Sequence, residues 1–242
     1  KKNILKIINK LILQVHMKNS FLKRYGLIIL FFIVFSVVGV SSFNYVQTPT
    51  KKLPIYSPSM VSDELVEEDL RYVKKYHRIS DFSLFNQNGE NVTHDNYKNK
   101  IYVADFFFTT CPDICPIMTG NMLYLQENLK NNNDIMLASF SVTPDVDNVD
   151  VLKSYSQEKG VDDSKWNLMT GEKKQIYDLA RKSFLVAKKI HNEQSHGMIH
   201  TENFVLVDKD KRIRGYYDGT NIEEMDRLLD DIKILLDSYE NS

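Results

Sequence analysis

The chain has 242 residues, 43% hydrophobic and 26% charged, a balance that excludes a disordered or collagen-like polymer. Its 31 basic and 32 acidic residues nearly cancel, but seven of the basic ones and none of the acidic ones lie within residues 1–43. The acidic remainder argues against nucleic acid as a partner, since phosphate binding needs a cationic face. With only two cysteines, Cys111 and Cys115, a multi-bridge disulfide scaffold is excluded as well.

Residues 1–24 read as a basic leader. Met17 opens a sensible one, and residues 1–16 read as an upstream extension. The alternative for them is a basic amphipathic helix at a membrane surface, with Ile4, Leu5, Ile8, Leu11 and Ile12 on one side. Residues 25–43 then run without a charge, just after Lys18, Lys23 and Arg24. At ~1.5 Å per residue such a run nearly spans a hydrocarbon core of about 30 Å. Basic flanks stay cytoplasmic, so the C-terminal body is expected outside the cytoplasm. A cleaved signal peptide around Leu27–Val40 competes with a single-pass anchor, and the anchor is preferred because no A-x-A site follows. Residues 44–60, with Pro49, Pro54 and Pro58, read as an extended tether, and 61–242 as the folded domain.

Within that domain, residues 61–77 suggest a short helix. Phe82, Leu84 and an Asn86-Gln87-Asn88-Gly89 turn suggest a hairpin leading to Val92. Residues 101–109 form a near-continuous apolar run of strand length, as in a strand covered on both faces. A helix is expected from about Pro116 to Lys130, with Met118, Met122, Leu125 and Leu129 inward, then a buried strand at 134–142. A helix over Asn148–Lys159 ends at Gly160, a short strand falls at Trp166–Met169, and a further helix covers Glu172–Phe184. Strands at Thr201–Val207 and Arg212–Tyr217 precede a closing amphipathic helix, Ile222–Tyr239. This order gives an α/β layer architecture with strands between helices.

Thr109-Thr110-Cys111-Pro112-Asp113-Ile114-Cys115-Pro116 lies where the buried strand ends and a helix begins. Pro116 suits the first helical turn, which places Cys115 at the cap, where the positive helix end favours its thiolate. Three readings compete. A structural disulfide closing so short a loop adds little stability. Thiol–disulfide exchange usually uses two intervening residues rather than three, and no proline follows Pro144 to face the cysteines. A peroxiredoxin-like pattern fails at Ala104 and Phe108. The third reading is a soft metal ion, since two thiolates select Cu(I), which needs only one more ligand. Among the histidines, His16 precedes the apolar run, His77 and His94 look like surface residues, and His191 and His196 lie in a polar loop. His200 directly precedes an apolar strand.

These segments resemble the Sco/SenC family of membrane-anchored copper proteins with a thioredoxin-like fold. The likeness is carried by FFFTTCPDICPIMTGNM (106–122), SFSVTPDVDNVDVLKSY (139–155), WNLMTG (166–171) and HTENFVLVDKDKRIRGYYDG (200–219). The resemblance implies that Cys111, Cys115 and His200 bind copper as Cu(I), with Cu(II) as a further state. It implies a metallochaperone rather than an enzyme. Its partner would be cytochrome c oxidase subunit II, whose binuclear copper site it would load or whose cysteines it would reduce. Other copper carriers or thiol reductants would be further partners. The implied location is the inner (cytoplasmic) membrane, with the body on the periplasmic side. The family often has aspartate before the ligand histidine, where this chain has Ile199; His196 is an alternative or auxiliary ligand. The rival reading is an exported thiol–disulfide oxidoreductase, and a weaker one a redox or copper sensor.

Overall fold

The turn at residues 86–89 reverses the chain as its composition predicts: Gly89 takes φ 73°, and its N–H donates to the Asn86 carbonyl at 2.9 Å. It joins β1 (Ser83–Asn86) to β2 (Asn91–Thr93) in an antiparallel hairpin. The computed structural model describes residue 6, residues 24–43, residues 52–187 except 69 and 76, and residues 201–240. The chain divides into two units, residues 1–51 and residues 52–242. In the first, helix α1 (Arg24–Phe43) is long and apolar enough to cross a membrane, with its Leu, Ile, Val and Phe side chains exposed.

In the second unit, the hairpin joins a mixed sheet with β3 (Ile101–Phe107), β4 (Ile135–Ser141), β5 (Trp166–Thr170), β6 (Asn203–Val207) and β7 (Ile213–Asp218). The strand order is β2-β1-β5-β4-β3-β6-β7. β3, β4 and β5 are parallel neighbours, and β6 is antiparallel to β3. Every residue of β3 is buried, as a strand covered on both faces requires. Its side chains alternate. Tyr102, Ala104 and Phe106 join one core with Phe82, Phe140 and Phe184, while Ile101, Val103 and Phe107 join the other.

That second core is closed by three helices: α2 (Ile114–Leu129), α3 (Val149–Lys159) and α5 (Ile222–Glu240). The expected inward stripe Met118, Met122, Leu125 and Leu129 is buried, as are Met225, Leu228, Ile232 and Leu235 of α5. Asn148 caps α3 by accepting from the Val151 N–H at 3.0 Å, and Gly160 ends it in the left-handed region at φ 79°. The opposite face is covered by α4 (Lys173–Asp178), its continuation and side chains from Tyr56 to Ile79.

Four local expectations differ from the structure. The described part of 61–77 forms separate turns and no helix, because the Arg71 guanidinium takes the carbonyls of Asp63 and Val66 that a helix would pair internally. The tether does not extend to residue 60. Leu53 and Pro58 are buried, and the Tyr56 N–H donates to the Ile213 carbonyl at 2.9 Å, so residues 52–60 belong to the body. The helix expected through Phe184 changes at Leu179–Ser183 to a wider π turn, followed by Leu185 at φ 56°. His94 is buried, with its ring edge-on to Phe82 and Tyr102 rather than at the surface.

Candidate metal centre

Both cysteines sit where β3 hands over to α2, at the C-terminal end of the central parallel strands, where α/β sheets place their sites. α2 begins two residues before the expected Pro116, so Asp113 holds the cap position and Cys115 lies inside the first turn. That shift moves the thiol roles. Cys111, partly exposed in the preceding loop, takes the position over the helix N-terminus. Slight burial raises its pKa, but the N–H groups of Asp113, Cys115 and Ile114 and the Cys115 thiol prevail and lower it. Cys115 behaves the opposite way: burial pushes its thiol up to about 12, and Cys111 and the buried Asp105 add to the rise. The expectation of a depressed Cys115 thiol is therefore corrected: the depressed one is Cys111. Both cysteines are free thiols.

The loop that carries Cys111 is held from outside its own segment. The buried Asp147 carboxylate accepts from the Thr109 N–H at 3.1 Å and the Thr109 hydroxyl at 2.5 Å. The same carboxylate accepts from Ser141 Oγ at 2.6 Å and Thr143 Oγ1 at 3.1 Å. Four donors compensate the cost of burying that charge. Farther in, Asp105 lies on the α2 face of β3 and accepts from Ser139 Oγ, which in turn accepts from Trp166 Nε1 at 2.8 Å. Burial raises Asp105 to about 7 despite the Ser139 bond.

His200, His196 and His191 lie outside the described residues. The position of the chain just after them is set by β6, which starts level with the end of β3, with Val205 opposite Ala104. The Glu202 carbonyl accepts from the Gly219 N–H at 2.7 Å, and the Gly219 carbonyl accepts from Asn121 Nδ2 of α2 at 2.7 Å. Residues 201 and 202 are thus tied to the cysteine end of the sheet. His77 does not approach this end: its Nε2 donates to the Ser183 carbonyl at 2.7 Å. Among the described residues, no three His, Cys, Asp or Glu side chains converge as a ligand set. The donors present, two adjacent thiols with one open to solvent, suit a soft monovalent ion.

Sequence reasoning missed Asp147, Ser139 and Asp105. Asp105 carried a signal, as a single acid within the apolar run 101–109. Asp147 carried none, because the partner that ties it to the cysteine loop, Thr109, lies 38 positions away in the chain.

A mixed sheet flanked by helices, with a cysteine pair at the head of the helix after its central strand, defines a thioredoxin-like dithiol protein. The SCO1/SenC family model matches residues 71–237, and the chain belongs to that family. It is similar to the SCO1 protein homolog of Bacillus subtilis, 34% identical over 160 residues, covering 65% of this chain and 82% of that protein. It also resembles the structure of BsSco, described as having a disulfide switch and as a member of the Sco family of cytochrome c oxidase assembly proteins. That match has TM-score 0.55 and 34% identity, covering 65% of this chain and 93% of that one. The copper-bound structure of Arabidopsis thaliana ScoI matches with TM-score 0.51 and 26% identity over 64% of this chain and 97% of that one.

Proposed function

We propose that this protein is a copper chaperone of cytochrome c oxidase assembly. Cys111 and Cys115 hold Cu(I), with His200 as third ligand and His196 as an auxiliary donor. The recipient is the binuclear copper site of oxidase subunit II. α1 holds the body at the periplasmic face of the inner membrane. The observation that carries the reading is the pair of adjacent free thiols, one open to solvent, at the head of α2. Copper bound in the Arabidopsis relative supports the metal, and the tie between Glu202, Gly219 and Asn121 supports a ligand just upstream of β6.

Each residue has a distinct part in this scheme. Cys111, as the more acidic and more accessible thiol, meets an incoming ligand first. Cys115 anchors the ion from the buried side, giving up its proton on binding because only a thiolate is a ligand. Asp147 keeps the Cys111 loop in register with α2. The bound ion supplies a soft acceptor that a partner's thiolates can take over by ligand exchange.

Anaerobic Cu(I) titration of the reduced full chain tests this, with one ion per chain as the expected result. Equal affinity in wild type and His200→Ala removes the histidine. Unchanged binding by the Cys111→Ser/Cys115→Ser double variant ends the copper reading.

The opposed pKa shifts of the two thiols favour a second reading, thiol–disulfide exchange with Cys111 attacking and Cys115 resolving. Brisk catalytic turnover of a model disulfide, with a thiol reductant present, distinguishes it.

A further inference from the structure

The two ends of the sheet differ in chemistry. The cysteine loop leaves the C-terminal end of β3, whereas β6 runs the other way, so the turn joining β6 to β7 lies at the far end. At that end a cleft of about 420 Å³ is lined by Lys74, Lys75, His77, Arg78, Arg212 and Tyr56, and among the described residues no acidic side chain lines it. The composition makes this unusual, since the residues after 43 hold 24 basic against 32 acidic groups.

Part of the positive charge is fixed and part is free to act. Arg78 Nη1 donates to the Asp210 carbonyl at 2.8 Å, and Arg212 pairs with the Asp208 and Asp210 carboxylates, each at 2.8 Å. These bonds hold both guanidinium groups in place. Lys74 and Lys75 are exposed, and among the described residues neither has a carboxylate partner. The far wall is equally ordered: the Tyr56 ring stands edge-on to Tyr216 at 5.2 Å, and its N–H is bonded to Ile213. Two ordered guanidinium groups beside two exposed ammonium groups fit a phosphate oxyanion.

We propose that this cleft binds the phosphate of an anionic phospholipid headgroup. The occupant follows from chain connectivity and rests on the reading of α1 as a membrane anchor. Ile55, at the cleft wall, follows Phe43, the last residue of α1, by twelve positions. A fully extended stretch of that length reaches no more than about 40 Å. A cationic surface that close to an anionic leaflet gains from it. Headgroup binding at this end turns the opposite end of the sheet, with Cys111, away from the bilayer.

The test uses the full chain in vesicles of phosphatidylcholine alone or mixed with phosphatidylglycerol. Flotation on phosphatidylcholine alone reads the anchor, and backbone hydrogen exchange over residues 52–60 and 70–80 reads the cleft. Phosphatidylglycerol should slow exchange there by at least about fivefold. That slowing should disappear at high salt and in Lys74→Glu/Lys75→Glu, and shrink in the milder Lys74→Gln/Lys75→Gln. Equal exchange on both vesicles, with the chain still floating, overturns the cleft alone. Failure to float overturns the anchor reading and, with it, the argument for a lipid occupant. Slowing by inorganic phosphate on phosphatidylcholine, with none from phosphatidylglycerol, overturns the lipid source.

Discussion

The Asp147 carboxylate accepts from both the N–H and the hydroxyl of Thr109, a residue 38 positions earlier in the chain. This contact fixes the strand-to-helix loop of the cysteines to the loop after β4. Asp147→Asn keeps the shape but removes the charge and turns one acceptor into a donor. It should cost about 1–3 kcal/mol in urea unfolding, the usual loss for a buried, charge-assisted hydrogen-bond group. The variant should also alter the pH profile of Cys111 alkylation. A profile identical to wild type would show that the loop is held by other contacts.

The two thiols should react at very different rates. At neutral pH Cys111 has the larger thiolate fraction and the more open surface, while Cys115 stays protonated and buried. Timed iodoacetamide labelling with peptide mapping should show Cys111 modified at least about tenfold faster. Comparable rates would refute the assigned asymmetry.

Two buried groups pull stability in opposite directions with pH. His94 is lowered from 6.5 to about 4, chiefly by burial and secondly by the Lys211 charge, so it stays neutral in the fold. The unfolded chain takes up that proton first, so stability is lost as pH falls from about 6.5 to about 4. Asp105 is raised from 3.8 to about 7, so the folded chain holds the extra proton and stability is lost as pH rises across that range. The opposing slopes partly cancel in the wild type. Asp105→Asn should gain on wild type as pH rises from 3.8 to about 7, and His94→Leu should gain as pH falls from 6.5 to about 4. A pH-independent difference between either variant and wild type would remove that group from the balance.

Trp166 should report the ionisation of Asp105. It is the single tryptophan, and its Nε1 is linked to that carboxyl through Ser139. Its fluorescence should titrate with a midpoint near 7, and the transition should vanish in Asp105→Asn. Persistence of the transition in that variant would assign it to another group.

Gly219 admits no side chain. A Cβ there would stand 2.5 Å from the Phe204 ring and 2.7 Å from the Glu202 carbonyl oxygen. Gly219→Ala should therefore push the start of β6 away from α2, costing about 1–3 kcal/mol by overpacking. If His200 is a ligand, the same variant should bind Cu(I) more weakly than wild type while Cys111 labels at its normal rate. Unchanged Cu(I) affinity in a destabilised Gly219→Ala would separate residues 200–202 from the site.

Much of the fold was legible because its signals are local. The apolar run at 101–109, Gly89 in its turn, Asn148 and Gly160 around α3, and the stripes of α2 and α5 each act over a few residues. The places where local reading failed are those where a side chain took over backbone groups or another part of the chain intervened. Arg71 takes carbonyls that a helix over 61–77 would need, and β7 captures residues 52–60 from the expected tether. His94, polar in its sequence context, is enclosed by aromatic rings from three other places in the chain: Phe82, Tyr97 and Tyr102.

The chain's own order of residues determined which atoms carry the chemistry: two sulfurs four positions apart, at the end of a buried strand and the head of a helix. Only the folded molecule decided how those sulfurs differ. A thiol's acidity depends on which N–H groups point at it and how much water reaches it. Here those are set by a helix that starts earlier than Pro116 suggests, by an aspartate from β3 beneath α2, and by a carboxylate from the loop after β4. Spacing along a chain records distance in sequence, whereas electrostatics responds to distance in space.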